Sequence, residues 1–172
     1  MKPSMILLAI LALFTLFWRI LPHEWNMTPL FALALFAGAR LPTAAQRLGL
    51  PLLVMVLSDL WLGGHPTLLF VYLGVVAAVW LGSRMQQAGL LHHAGFALAA
   101  STLFFVISNF GVWLVAGLYP PTLEGLLACY TLAIPFFFKA AAGDLFFVMV
   151  FYALFHGLAV WQAGQQRHLQ MQ

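Results

Sequence analysis

The chain has 172 residues, of which 64% are apolar and 6% are charged. This composition excludes a soluble globular protein, because too few charged side chains remain to cover a surface exposed to water. The net charge of +3 comes from scattered Lys and Arg residues and does not indicate a nucleic-acid-binding patch, while the single cysteine excludes an internal disulfide and a four-thiolate metal site.

A helix that crosses a membrane needs about 20 mostly apolar residues, so a chain of this length holds roughly six or seven such helices. The first predicted helix follows Lys2 and ends near Leu21, and no small-residue cleavage motif follows it, so we expect it to be retained. The next four helices are predicted at residues 28–39, 50–62, 67–83 and 96–118. Thr28 is expected to cap the second helix, with Pro29 in its first turn.

Residues 123–162 form an apolar stretch that is interrupted by Pro135 and by the pair Gly143 and Asp144. The stretch is too long for one span, so it holds either two spans or a short re-entrant or interfacial helix followed by one span. The positive-inside rule favours the second alternative and six spans in total. That topology places the following basic residues on the cytoplasmic side: Lys2, Arg40, Arg47, Arg84 and Arg167. We therefore predict an all-α membrane protein with a single transmembrane domain over residues 1–172.

The same topology places most of the polar residues near the opposite, non-cytoplasmic side. Charged groups at membrane depth cost several kcal/mol unless they are paired or hydrated, so they usually face a bundle interior or a watery cavity. We therefore predict an outward-facing solute site. Its candidate ligand-binding residues are Arg19, His23, Asn26, Asp59, His65, Asn109, Trp113, Tyr119, Lys139 and Asp144.

Structural roles remain open for several of these residues. Arg19 is either an interfacial anchor or a partner for Asp59, and Lys139 is the other candidate partner; a structural ion pair alone would explain Asp59. Asp144 follows a glycine at an expected helix start, where a capping role is favoured. Asn109 would serve an interhelical hydrogen bond as well as a ligand. The aromatic residues are also typical of a membrane-interface belt.

A stripe of small residues, Gly74, Ala78 and Gly82, lies along the fourth predicted helix. Such a stripe allows another helix to approach closely, either inside the bundle or in a partner membrane protein. The histidines show no zinc-binding spacing, and no motif for a catalytic nucleophile is present. We therefore assign no catalytic residue and no cofactor and leave metal binding open.

Several longer motifs carry a resemblance to a known family. They are RILPHEWNMTP, LFAGARLP, SNFGVW, LYPPTLEGLLACY, IPFFFKAAAGD, and Ser58 and Asp59 before a Gly-Gly-His turn. The chain resembles a bacterial integral-membrane family defined as a domain of unknown function. That family is similar to the substrate-capture S components of energy-coupling-factor (ECF) vitamin transporters, including the solitary cobalamin S components.

This resemblance implies a vitamin or micronutrient uptake subunit in the bacterial inner membrane. Its expected partners are membrane lipid, a small solute such as cobalamin or another heterocycle, and an ECF-type energising module or another membrane subunit. No nucleic acid is expected. Two alternatives stay open, a non-transporting accessory subunit of a larger complex and an intramembrane enzyme. The chain departs from S components because Ala9 and Ala12 are three residues apart, whereas the S-component docking stripe has Ala residues four apart.

Overall fold

The structure, a computed structural model, describes residues 3–21, 27–85 and 89–170, with side chains described up to residue 167. Within these ranges the chain is all-helical, as predicted. The helices are α1 (Pro3–Ile20), α2 (Leu30–Arg40), α3 (Ala44–Leu62), α4 (Leu68–Arg84), α5 (Leu90–Val115) and α6 (Leu123–Gln170). Four of them, α1, α3, α5 and α6, are long and apolar enough to cross a membrane, while α2 and α4 are shorter apolar helices.

Helix α2 is the centre of the bundle. Every residue from Leu30 to Gly38 is buried, and α2 contacts all five other helices. A helix that is apolar on all sides can be surrounded by other helices, and the 11 residues of α2 are too few to cross a membrane alone, so both features fit this central position. With 11 residues, α2 is about 16 Å long, and its neighbours shield it from lipid.

Helices α2 and α4 are in backbone contact through two glycines. A Cβ atom on Gly38 would lie 2.3 Å from the carbonyl oxygen of Val79, and one on Gly82 would lie 2.2 Å from that of Leu35. Both distances are far shorter than van der Waals contact, so only glycine permits this approach. The small-residue stripe of α4 therefore packs within the chain.

Both described ends of the chain lie at the same end of the bundle. Near its N-terminus α1 contributes Pro3 and Ile6 to an apolar groove that α6 completes with Leu158 and Trp161. At this end, which we call the arginine end, the guanidinium of Arg40 lies 4.8 Å from the ring centroid of Phe155. The opposite end, where α1, α3 and α5 finish, is called the cavity end below.

The outer surface of the bundle is strongly apolar. Many large hydrophobic side chains are exposed on it, among them Phe17, Leu60 and Leu91. An apolar surface of this extent would cause aggregation in water, whereas lipid tails solvate it without cost. The surface and the four long apolar helices together indicate a membrane protein.

Two helices begin earlier in the chain than the sequence predicted. Helix α3 begins at Ala44, six residues earlier than expected, because the Thr43 side chain accepts a hydrogen bond from the Gln46 amide at 3.3 Å and caps the helix. Helix α5 begins at Leu90, six residues earlier than the predicted start at residue 96. The predicted cap at Thr28 was wrong, since α2 begins at Leu30 without a side-chain cap.

The prediction for residues 123–162 was also wrong, because α6 is one continuous helix. It has 48 residues, about 72 Å of helix, and the expected re-entrant or interfacial helix is not a separate element. Pro135 removes only one backbone donor, a loss that helix interiors in membranes tolerate. Gly143 lies against the side chain of Met27, so the glycine serves close packing here and does not end the helix.

The shared position of the chain ends can be tested with topology reporters. We expect reporter fusions at the N-terminus and at the C-terminus to report the same side of the membrane. A third fusion between α5 and α6, after Leu118, is expected to report the opposite side. Terminal fusions on opposite sides would contradict the antiparallel packing of α1 and α6.

Candidate functional site

A cavity of about 910 Å³ lies toward the cavity end of the bundle, between α6 and the ends of the other helices. Along α5 it extends from Asn109 to Ser101, a distance of about 12 Å along the helix axis. Pockets for drug-sized ligands have volumes of roughly 300 to 1,000 Å³. The polar or charged side chains that line it are Arg19, Thr28, His65, Ser101, Ser108, Asn109 and Asp144.

Phenylalanine rings form much of the cavity wall. Phe31 and Phe104 pack with their ring centroids 4.7 Å apart, and Phe105 and Phe137 with theirs 5.0 Å apart. These residues lie on α2, α5 and α6, so the packing between helices holds the rings in place. Such a wall suits a flat, mostly apolar solute, because aromatic rings favour stacked or edge-to-face contacts.

Asp144 lies at the inner end of the cavity and is only 5% exposed. Its Oδ2 accepts a hydrogen bond from the Ser101 hydroxyl at 2.7 Å. The same hydroxyl lies 3.0 Å from the carbonyl oxygen of Ala97, and its single proton serves one acceptor at a time. No salt bridge to Asp144 exists among the residues that the structure describes. The carboxyl group is therefore buried with little compensation from the residues that the structure describes.

Arg19 reaches the cavity from the last turn of α1 and is held by α3. Its Nε donates to the Ser58 hydroxyl at 2.8 Å, and its NH2 group donates to Oδ1 of Asp59 at 2.9 Å. The two charged side chains are 14% and 12% exposed, so the pair is largely removed from solvent. The other oxygen of Asp59, Oδ2, is buried without a hydrogen-bond partner among the described residues. The charge of Arg19 is thus compensated by Asp59, which does not itself line the cavity.

The outer part of the cavity is lined by polar side chains whose described hydrogen bonds go only to nearby residues of the same segment. Asn109 donates from Nδ2 to the Phe105 carbonyl of its own helix at 2.8 Å. Among the described contacts its side chain makes no interhelical hydrogen bond, although its backbone carbonyl accepts from the Cys129 thiol at 3.4 Å. His65 is exposed, and its Nδ1 lies 2.9 Å from the Thr67 hydroxyl.

The cavity brings together part of the site that the sequence predicted. Of the ten candidate residues, Arg19, His65, Asn109 and Asp144 line it. Asp59 lies behind the wall and contributes through Arg19.

The remaining candidates have other positions. Trp113, Tyr119 and Lys139 are not among the lining residues, and the Trp113 indole donates to the Pro120 carbonyl at 3.1 Å, which holds the loop after α5. His23 and Asn26 lie outside the described residues.

Two expected roles need correction. Asp144 does not cap a helix start, because it lies in the interior of α6 and packs against the middle of α5. The stripe of Gly74, Ala78 and Gly82 is buried, with Gly74 against Phe104 and Gly82 against Leu35. A buried stripe is not available as a docking surface for a partner protein, so its role is internal packing.

Sequence reasoning missed Ser101, Ser108 and the phenylalanine wall. Ser101 is a single hydroxyl in an apolar helix, and only its partner on α6 distinguishes it from an ordinary helix serine. In the described part of the chain no group of three or more His, Cys, Asp and Glu side chains is arranged to hold a metal ion.

The comparisons with known proteins show the family of this chain. It belongs to the family of unknown function DUF6580, which matches residues 1–167. No curated protein and no solved structure matches the chain.

Proposed function

We propose that this member of DUF6580 is a solute-binding subunit of a membrane transport system, comparable to the S components of ECF transporters. The solute would be a vitamin-sized heterocycle that enters from the cavity end. The observation that carries the proposal is the cavity of about 910 Å³, which combines a phenylalanine wall with a buried carboxylate and a guanidinium. Convergent polar groups in a mostly apolar pocket are typical of small-molecule sites.

Burial of polar groups supports a binding role for the cavity. Asp144 and the Arg19–Asp59 pair lie within a helical bundle whose outer face is apolar. A charged group at membrane depth is expensive, and such a group usually serves a substrate, an ion or a proton. A purely structural polar contact between α5 and α6 would need no adjoining cavity of this volume.

The transport class of the proposal comes from the resemblance to S components. Under this proposal the arginine end faces the cytoplasm of a bacterial cell, since Arg40, Arg47 and Arg84 follow the positive-inside rule. The cavity end would then face outward across the inner membrane. An energising module would contact the bundle elsewhere than at the buried small-residue stripe of α4.

A steric block of the cavity tests the binding role. Ala140 lines the cavity, so Ala140→Phe fills part of it without changing any charge. We expect wild-type protein, purified in mild detergent, to release a small molecule near one equivalent, and Ala140→Phe to retain less than about a tenth of it, because an obstructed apolar pocket loses its packing contacts. The measurement is mass spectrometry of the released compounds.

Ala153→Phe is the matched control, because Ala153 lies on the exposed face of the same helix. This variant is expected to keep the bound compound. An empty wild-type protein that survives only within a larger assembly would support the accessory-subunit alternative. Conversion of the bound compound during incubation would support the intramembrane enzyme.

A further inference from the structure

We propose that the solute carries a cationic nitrogen, such as a protonated amine, and that this group pairs with Asp144 at the inner end of the cavity. The inference rests on the proposed binding function and adds the chemical class of the ligand. It follows from the charge of the cavity wall, from the depth of Asp144 and from the apolar surface beside it.

The first argument concerns the uncompensated carboxylate. Asp144 is 5% exposed and its described hydrogen bond comes from one neutral hydroxyl, that of Ser101. A buried ionised carboxylate normally requires a cation or several donors, because a low-polarity surrounding does not replace the water that it loses. The side of Asp144 that faces the cavity is open to a ligand, so the missing positive charge is best supplied from there.

The second argument concerns the other charged group of the wall. The Arg19 guanidinium is occupied by Asp59 and Ser58, at 2.9 and 2.8 Å. This pairing offsets its charge toward the cavity, so an ionised Asp144 would give the described wall a negative charge without an equal positive charge. Such a field favours a cation and disfavours a carboxylate ligand.

The third argument concerns the shape of the site. Asp144 lies at the inner end, and the phenylalanine wall continues outward past Phe104 and Phe105 toward Asn109. A ligand with an aromatic ring and a cationic nitrogen at one end matches this order, since the ring contacts phenyl faces while the nitrogen reaches the carboxylate. Phenyl faces also attract cations, which adds to the same preference.

Three indole compounds that differ in one group test the inference: tryptamine, tryptophol and indole-3-propionate carry an amine, a hydroxyl and a carboxylate. Binding to washed, detergent-purified protein is measured by equilibrium dialysis and by the thermal shift. We expect tryptamine to bind at least about tenfold more tightly than tryptophol, and indole-3-propionate to bind worst.

The variant Asp144→Asn keeps the shape of the side chain and its hydrogen bond with Ser101 but removes the charge. We expect it to weaken tryptamine binding by at least about tenfold and to leave tryptophol binding nearly unchanged. Glu124→Gln is the matched control, because it makes the same acid-to-amide change on an exposed residue outside the cavity. This control is expected to keep the preference for the amine.

The outcomes separate this inference from the proposed function. Equal binding of the amine and the alcohol, a preference that survives in Asp144→Asn, or no binding of any probe would overturn the cationic-ligand inference. A neutral or acidic compound that co-purifies with wild type and is lost in Ala140→Phe would also overturn it, while the proposed binding function would stand. An empty wild-type cavity together with no probe binding would overturn both.

Discussion

Gly82→Ala is expected to destabilise the protein by about 3 kcal/mol, because its Cβ would lie 2.2 Å from the carbonyl oxygen of Leu35. The contacting atom belongs to the backbone of the central helix α2, so no side-chain rotation relieves the overlap. Helix α2 is buried against all other helices, and a shift of α2 would disturb the whole core. The expected loss corresponds to an apparent Tm lowered by roughly 6 to 12 °C.

Thermal unfolding in detergent, followed by size-exclusion chromatography, measures this effect. Gly38→Ala should have a similar effect, since its Cβ would lie 2.3 Å from the Val79 carbonyl oxygen. Gly157→Ala is the control, because a Cβ there has no neighbour within 4 Å and alanine favours the helix. An unchanged Tm for both Gly82→Ala and Gly38→Ala would show that α2 and α4 do not pack through their backbones.

Asp59→Asn is expected to cost about 3 kcal/mol, because it leaves the Arg19 guanidinium largely buried without a counter-charge. The double variant Arg19→Met with Asp59→Leu should recover most of that loss, since two apolar side chains need no solvation at this depth. The single variants Arg19→Met and Asp59→Leu, compared with this double variant, give the coupling between the two residues.

Thermal unfolding in the same detergent measures Asp59→Asn, the two cycle singles and the double variant. A double variant that is as unstable as the sum of the two singles would mean that Arg19 and Asp59 do not interact. Glu124→Gln again serves as control, because Glu124 is exposed in the first turn of α6 and its replacement, which removes only a favourable charge at the helix end, should lower the Tm far less than Asp59→Asn does.

The all-helical fold and the membrane-protein class were predictable from the sequence, because long apolar runs and few charged residues dominate it. The Arg19–Asp59 pair was also among the sequence-derived alternatives, since two opposite charges in apolar helices at the same end of a bundle require partners. The helix boundaries were less predictable. The Thr43 cap lengthened α3 at its start, and α6 continues through both Pro135 and Gly143.

Part of the site was predictable for the same reason, and part was not. Arg19, Asn109 and Asp144 are conspicuous as polar residues in apolar helices, so composition alone marks them. Ser101 and the phenylalanines Phe104 and Phe105 are ordinary in such a helix and acquire a role only from the helices opposite them. The same applies to the stripe of α4, whose burial depends on where α2 lies.

The sequence by itself determined that this protein is a helical membrane protein and which of its polar residues lie in apolar segments, because the cost of exposing apolar surface to water and of burying charge in lipid depends on composition and order alone. Only the tertiary structure decided that α2 is central, that α6 is unbroken, and that Asp144 meets Ser101 beside a cavity. These features depend on distances of a few ångströms between residues far apart in the chain. The sequence of one helix does not specify which face of a neighbouring helix packs against it.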